Sequence, residues 1–499
     1  MTAEVANSLA DITGPSPVEA LATRAGKLPL TTRLLYGLGS VAFGVKDNGF
    51  SFLLLLFYNQ VVGLPAPLVG LAIMLVMIVD SVMDPIIGQV SDNWRSKLGR
   101  RHPFMYASAL PVAVSYLALW NPPHGLSQGA MFAYLVVAAL IIRTFITFYE
   151  VPSSALAAEL TQDYDERTAL MSYRYFFAWV GGLLLYLITF LFLLVPDAHH
   201  KVGQTNPAGY SRYGLAASAL MFITILASAA GTQKRAAAFR VPPHRRLGLI
   251  ATVREMIATW SNRSFLFLTL AGLALAMASG LSAAMNIYIN TYFWEFTSRQ
   301  FAILIAGVFL SAFLSLFAVA PLARRFGKRG TATALVIASV AIGSTPMLLR
   351  LARVLPANHT PALFEVVFVQ SIFSVALGIA ATTLIGAMVA DVVEDGEWKT
   401  GRRSEGLFFS ASSLTAKAVS GIGIFAASMI LLVIHFPANA RPGQVPEAII
   451  RGMALVYLPI LIGFYVIGLM LLRGYGITRA SHAETLTKLA ARARGAARA

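Results

Sequence analysis

Apolar runs of about 20 residues recur along the whole chain, each long enough to cross a hydrocarbon core of about 30 Å as a helix. Inside a bilayer the backbone satisfies its own hydrogen bonds only as helices or as a closed barrel. The runs are continuous and lack strict alternation, so they read as helices. Of 499 residues, 57% are hydrophobic and 12% charged, spread over the full length, which excludes an ordinary soluble enzyme. Cysteine is absent, which excludes disulfides and thiolate metal sites. The pattern predicts an all-α membrane protein with twelve transmembrane helices, at 35–61, 66–91, 103–122, 129–157, 170–195, 212–231, 264–293, 299–322, 331–352, 362–392, 405–436 and 446–473. Several exceed a bare span, so tilt or extension into water is expected.

Orientation follows from loop charge. A formal charge of +16 would suggest nucleic acid in a soluble protein. Here it reads as positive-inside bias, and no nucleic-acid partner is expected. Arg95, Lys97, Arg100 and Arg101 follow the second span, and Arg324, Arg325, Lys328 and Arg329 the eighth. Lys234, Arg235, Arg240, Arg245, Arg246, Arg254 and Arg263 mark a central loop, whereas the alternate loops at 62–65 and 123–128 carry no Lys or Arg. Both termini are therefore expected in the cytoplasm. The expected organisation is an N-terminal tail (1–32), a six-helix half (33–231), a central cytoplasmic loop (232–263), a second six-helix half (264–473) and a basic tail (474–499). The first tail, with Glu4, Asp11 and Glu19 and no apolar stretch, does not read as a signal peptide. The last reads as a solvated tail, with a basic helix lying against anionic lipid as the alternative.

A weak repeat supports two halves. The element from Gly88 and Asp92 through Trp94-Arg95-Ser96-Lys97-Leu98-Gly99-Arg100-Arg101 follows the second span, and Arg324-Arg325-Phe326-Gly327-Lys328-Arg329 follows the eighth. Two six-helix halves flanking a midplane site resemble the major facilitator plan. Gly181-Gly182 and Gly421-x-Gly423 read as places of close helix packing.

The charged residues inside the spans carry the functional argument. Asp80 and Asp84 lie one turn apart within the second span, on one helix face. A charge at the bilayer centre costs on the order of 2.5–3.5 kcal/mol, so such residues mark an ion or substrate path. The first span carries Lys46 and Asp47, the fourth Arg143, Thr147 and Glu150, the fifth Arg174 and the eleventh Lys417. Together they require one shared, wet interior. Asp80 and Asp84, with Glu150 as a further candidate, would attract sodium or a proton. Coupling arises if the loaded cavity binds substrate better than the empty one. Lys417 reads either as a counter-ion released when the cation enters or as a permanent structural partner. No histidine sits in the middle of a span, so carboxylates must do the coupling.

Acid–base clusters recur in equivalent places in the two halves. Asp163, Asp165, Glu166 and Arg167 follow the fourth span, and Asp391, Glu394, Asp395, Glu397, Lys399, Arg402 and Arg403 follow the tenth. With Arg95 and Arg100 they are candidates for ion pairs that close the cytoplasmic side: Arg95, Arg100, Asp163, Arg167, Asp391, Glu394 and Arg402.

The segments "YGLGSVAFGVKDNGF", "DSVMDPIIGQVSDNWRSKLGRRHPF", "LTQDYDERTALMSYRYFFA" and "MVADVVEDGEWKTGRRSEG" resemble the glycoside–pentoside–hexuronide:cation symporters, the melibiose permease relatives, over nearly the whole membrane domain. The resemblance implies the major facilitator fold and sodium-, lithium- or proton-coupled uptake of a sugar, glycoside or uronide. It implies cation binding by Asp80 and Asp84, as a Na+ site, with Thr147 assisting. It implies substrate binding by Asp47, Glu150, Lys46 and Arg174, and charge balance by Lys417. Glu150 is longer than the family's aspartate, and Arg174 differs in register by one residue. Two pocket tryptophans are replaced by Ser154 and Thr382, and an arginine near the sugar by Met77. The alternative is a cation-coupled lysophospholipid or amphiphile carrier.

No cofactor beyond the coupling ion and no obligate protein partner is expected; the partners are a small-molecule substrate and membrane lipid. No P-loop occurs, and no nucleophile–base set sits at mid-membrane, so neither ATP-driven pumping nor an enzyme is expected. The 193–212 segment reads as a plain surface loop rather than a pocket cover.

Overall fold

The apolar runs are helices, and among the described residues no strand occurs. The computed structural model describes residues 28–161, 163–238, 263–400 and 405–496. Nearly all of the 1–32 tail, most of the 232–263 loop, and Arg402 and Arg403 lie outside them. The first half comprises α1 (Leu30–Val61), α2 (Ala66–Asn93), α3 (His102–Leu119), α4 (Gln128–Leu160), α5 (Tyr164–Ile188, continued by a π-helical turn to Leu193) and α6 (Pro207–Ala238). The second comprises α7 (Arg263–Tyr288, continued to Phe293), α8 (Ser298–Phe326), α9 (Lys328–Leu351), α10 (Pro361–Thr400), α11 (Glu405–Val433) and α12 (Glu447–Leu472), with α13 (Arg479–Ala496) after it. Ten of these helices are long and apolar enough to cross a membrane; α3 and α11 complete the twelve of the bundle.

The outer surface is one that suits lipid rather than water. Leu110, Val114, Leu215, Ile223, Leu316, Phe317, Leu455 and Met470 are all exposed. A soluble monomer rarely shows apolar area on this scale.

Several helices run further into water than their apolar spans, while α3 and α11 stop short of theirs, at Leu119 and Val433. α5 begins at Tyr164 rather than 170, α6 runs to Ala238 rather than 231, and α10 runs to Thr400 rather than 392. Hydropathy registers only the part of a helix that meets lipid, while polar residues continue the same helix into water. Asp163 fixes one such start: its Oδ1 accepts the Glu166 N–H at 2.8 Å and so caps α5.

The two halves repeat each other in detail. At the end of α1, Val62 N–H donates to Phe57 O at 3.0 Å and Leu64 N–H to Tyr58 O at 2.9 Å; at the end of α7, Trp294 N–H donates to Ile289 O at 2.9 Å and Phe296 N–H to Asn290 O at 2.8 Å. Gly99 and Gly327, in the two basic loops after α2 and α8, both have positive φ, at 89° and 74°, a conformation that costs other residues energy. The ends carrying these loops are called the basic end below, and the ends of α1 and α7 the far end.

Within the first half α1 packs on α5, and α3 on α4 and α6; within the second α10 packs on α8 and α9, and α7 on α12. Between halves α2 lies along α11, which also packs on α7. Small residues set these approaches. A Cβ at Gly44 would fall 1.8 Å from the Ala178 carbonyl oxygen on α5, and one at Gly421 would fall 3.1 Å from Met77 Cβ on α2.

Candidate functional site

The close approach of α11 to α2 brings the interior charges into one layer. Arg143, Thr147 and Glu150 share a face of α4 at i, i+4 and i+7, and that face meets Asp80 and Asp84 on α2. Arg143 Nη1 donates to Asp80 Oδ2 at 3.3 Å. The Thr147 hydroxyl lies 3.2 Å from Oδ1 of both aspartates and donates to one or the other. Lys417 Nζ reaches across from the second half, donating to Asp84 Oδ2 at 2.9 Å and lying 3.8 Å from Glu150 Oε2.

The two pairs differ in accessibility. The Asp80 and Arg143 side chains are each only 3% exposed, whereas those of Asp84 and Lys417 are 22% and 21% exposed. The first is sealed in protein; the second is open to solvent. Arg143 also lies over the Phe50 ring at 5.2 Å.

Lys46, fully buried, pairs with its neighbour Asp47 at 2.8 Å and stands over the Phe43 ring at 4.3 Å. Arg174 on α5 donates to Ser153 Oγ at 2.7 Å and to the Glu150 carbonyl at 3.1 Å, which ties α5 to α4. Four acids (Asp47, Asp80, Asp84, Glu150) and four bases (Lys46, Arg143, Arg174, Lys417) therefore balance within the bundle.

A cavity of about 810 Å³ opens between the halves, within the range of small-molecule sites. Its walls come from α1 and α5 on one side and from α7, α8, α9, α10 and α12 on the other. Tyr175, Trp179, Tyr186, Trp294 and Phe301 supply aromatic faces; Asn48, Asn286, Asn290, Gln370 and Ser371 supply neutral hydrogen-bonding groups. Asp47 lines the cavity, and among the described lining residues none is Lys, Arg or His.

Of the residues expected at the substrate, Asp47 is therefore the one in the cavity wall. Lys46, Glu150 and Arg174 stand outside it, in the charged layer and the α4–α5 contact. Ser154 and Thr382 also lie outside it; Trp179 and Tyr175 of α5 provide the aromatic surface in their place.

The far end is sealed by neutral contacts between the halves. The Tyr288 hydroxyl donates to Asn59 Oδ1 at 2.8 Å. Gln60 Nε2 donates to Pro437 O at 3.1 Å while its Oε1 accepts the Ala440 N–H at 2.8 Å. The 193–212 segment takes part, contrary to the plain-loop expectation. Gln204 Nε2 donates to Phe296 O at 3.1 Å, and the Ser298 hydroxyl donates to Gln204 Oε1 at 3.0 Å. Phe190 of α5 stacks on Phe301 of α8 with ring centroids 4.3 Å apart. Away from this seal, the cavity-lining Tyr175 is 72% exposed.

Among the described residues, the expected closing residues Arg100, Asp163, Arg167, Asp391 and Glu394 find partners within their own half at the basic end. Arg100 and Arg101 share Glu159, at 2.7 and 2.6 Å. Arg167 Nε donates to Thr161 O at 3.0 Å, Asp163 caps α5, and Arg95 is exposed. Asp391 takes Lys328 at 2.5 Å and the Tyr475 hydroxyl at 3.2 Å. Glu394 takes His482 of α13 at 2.5 Å, so the C-terminal tail docks on α10 instead of standing free in solvent. Glu159 and Arg143 escaped the sequence reading as partners. The signal for Arg143 was its i,i+4 spacing to Thr147.

The family described as MFS/sugar transport protein matches residues 35–479. An uncharacterised symporter of Synechocystis sp. is 27% identical over 94% of this chain and 98% of its own length. The isoprimeverose transporter of Lactiplantibacillus pentosus is 24% identical over 88% of this chain and 87% of its own. Among solved structures, a bacterial homologue of the human lysosomal transporter Spinster superposes with a TM-score of 0.61 at 13% identity, covering 95% of this chain and 99% of that one.

Proposed function

This chain belongs to the MFS/sugar transport protein family, and we propose that it is a secondary active symporter moving a neutral sugar or glycoside together with a cation, Na+ or H+, by alternating access. It is an integral membrane transporter with the major facilitator fold, and not an enzyme.

The observation that carries the reading is the pairing of Lys417, from the second half, with Asp84 and Glu150 of the first, beside a cavity walled by both halves. An ion pair spanning the moving interface can exchange with a coupling ion. When a cation enters at Asp84 and the Thr147 oxygen, Lys417 is released and the halves are freed to rearrange. Substrate and ion thereby bias one equilibrium, which is what coupling requires. Asp47 and the neutral amides and hydroxyls of the cavity accept and donate to substrate hydroxyls, and Trp179 and Tyr175 pack against its C–H faces. Described lining residues that include no base favour neutral sugars over uronides, and their many amides and hydroxyls suit a sugar better than an acyl chain. Loop charge supports a cytoplasmic basic end, so the conformation described, sealed at the far end, is inward-facing in a bacterial inner membrane.

The test is uptake into proteoliposomes of a panel of neutral glycosides, a pentose, a uronide and a lysolipid under imposed sodium or proton gradients. Gradient-driven accumulation of a neutral sugar is the expected outcome. Lysolipid movement without sugar uptake would overturn the reading.

A further inference from the structure

The acidic pair of α2 is not an open cation site, because a permanent cation already holds one of its members. Arg143 Nη1 bonds Asp80 Oδ2 at 3.3 Å, and both side chains are 3% exposed. Asp80's other oxygen faces the Thr147 hydroxyl at 3.2 Å. A guanidinium does not lose its proton in a protein, so this positive charge cannot be titrated away. It also cannot be carried off by the conformational change. α2 and α4 belong to the same half and pack directly on each other, so the pair travels as a unit. The Asp84–Lys417 pair is of the opposite kind, partly exposed and spanning the two halves.

A sodium ion between the aspartates would need oxygens from both. Their Oδ2 atoms are held by Arg143 and Lys417, and a third cation placed between these two charges is repelled by each. Lys417 can swing away with its half, but Arg143 cannot. The interior, four acids against four bases, needs no added cation for neutrality.

We infer that Arg143 stands in place of a sodium ion at the Asp80 carboxylate, making it the residue that sets coupling-ion specificity, and that transport by this chain does not require Na+. This rests on the symport reading and names what its ion is not.

The test uses Na+ itself as the probe on the purified full-length protein. Saturable binding and thermal stabilisation are measured in sodium against choline chloride, alongside sugar counterflow in proteoliposomes in the same two salts. The wild type should show no sodium-dependent shift and equal counterflow in both. Arg143→Ala uncovers the acidic pair and should gain sodium-stimulated counterflow of about tenfold, while Arg143→Lys, which keeps the charge, should stay blind to sodium. Saturable sodium binding by the wild type that Asp80→Asn abolishes would overturn the inference, and so would a folded Arg143→Ala that remains blind to sodium. The wild-type binding measurement decides the matter even if Arg143→Ala fails to fold. Sodium binding would leave the symport reading intact, whereas absence of sugar transport under any gradient would sink that reading whatever sodium does.

Discussion

The two halves share one architecture but divide the chemistry unequally. Away from helix ends the first half carries Lys46, Asp47, Asp80, Asp84, Arg143, Glu150 and Arg174; the second contributes Lys417 to the same layer. The second half instead supplies most of the cavity wall, with Asn286, Asn290, Gln370 and a run of serines. Most of the interior charges thus sit in one half and most of the neutral cavity wall in the other. Lys417 is a charged link between them. A symporter needs such a link, because substrate and ion can influence each other only through an element that both bias.

The largest effect should come from cutting that link. Lys417→Ala leaves Asp84 and Glu150 facing each other without a cation. Removing one partner of a buried pair costs 3–5 kcal/mol, and with both groups about one-fifth exposed the low end, about 3 kcal/mol, is expected. Thermal melting of the purified protein checks this, and Asp84→Asn in the same chain should restore part of the loss.

Gln204→Ala removes two hydrogen bonds of the far-end seal. At about 1 kcal/mol each, their loss should raise the far-open population by roughly tenfold or more. The natural chain has no cysteine, so labelling of Val308→Cys in the cavity wall by an impermeant thiol reagent reports the shift against no background. Trp179→Ala should raise KM for a neutral sugar by about tenfold without altering ion dependence. Gln370→Ala should raise KM by roughly fivefold, the worth of about one hydrogen bond. A change in coupling ion from either cavity variant would break the division of labour between the halves.

Much of this layer was legible in the sequence, for a physical reason. A charge inside an apolar run is costly enough to be conspicuous, and helix periodicity places Asp80 with Asp84 and Thr147 with Glu150 before any packing is known. Which charges meet was harder to see. The Arg143–Asp80 contact depends on how α4 is rotated against α2, and Arg143 stood out only as one more charged residue. The cavity wall was the least legible part, because scattered serine, asparagine and glutamine carry no charge and do not say which of them face one cavity. The Gln204 contact was hidden likewise: a polar loop that bridges two halves has the composition of one that bridges nothing. The basic-end charges were recognisable as clusters, but composition does not say whether Asp391 meets Lys328 of its own half or an arginine of the other.

The measurement that reaches the centre of the account is a paired assay of Asp84→Asn in proteoliposomes, comparing gradient-driven accumulation with counterflow of the same sugar. Asp84 is where the coupling ion and Lys417 are proposed to exchange. The account predicts that the variant exchanges sugar across the membrane but no longer concentrates it. Accumulation equal to that of the wild type would contradict it.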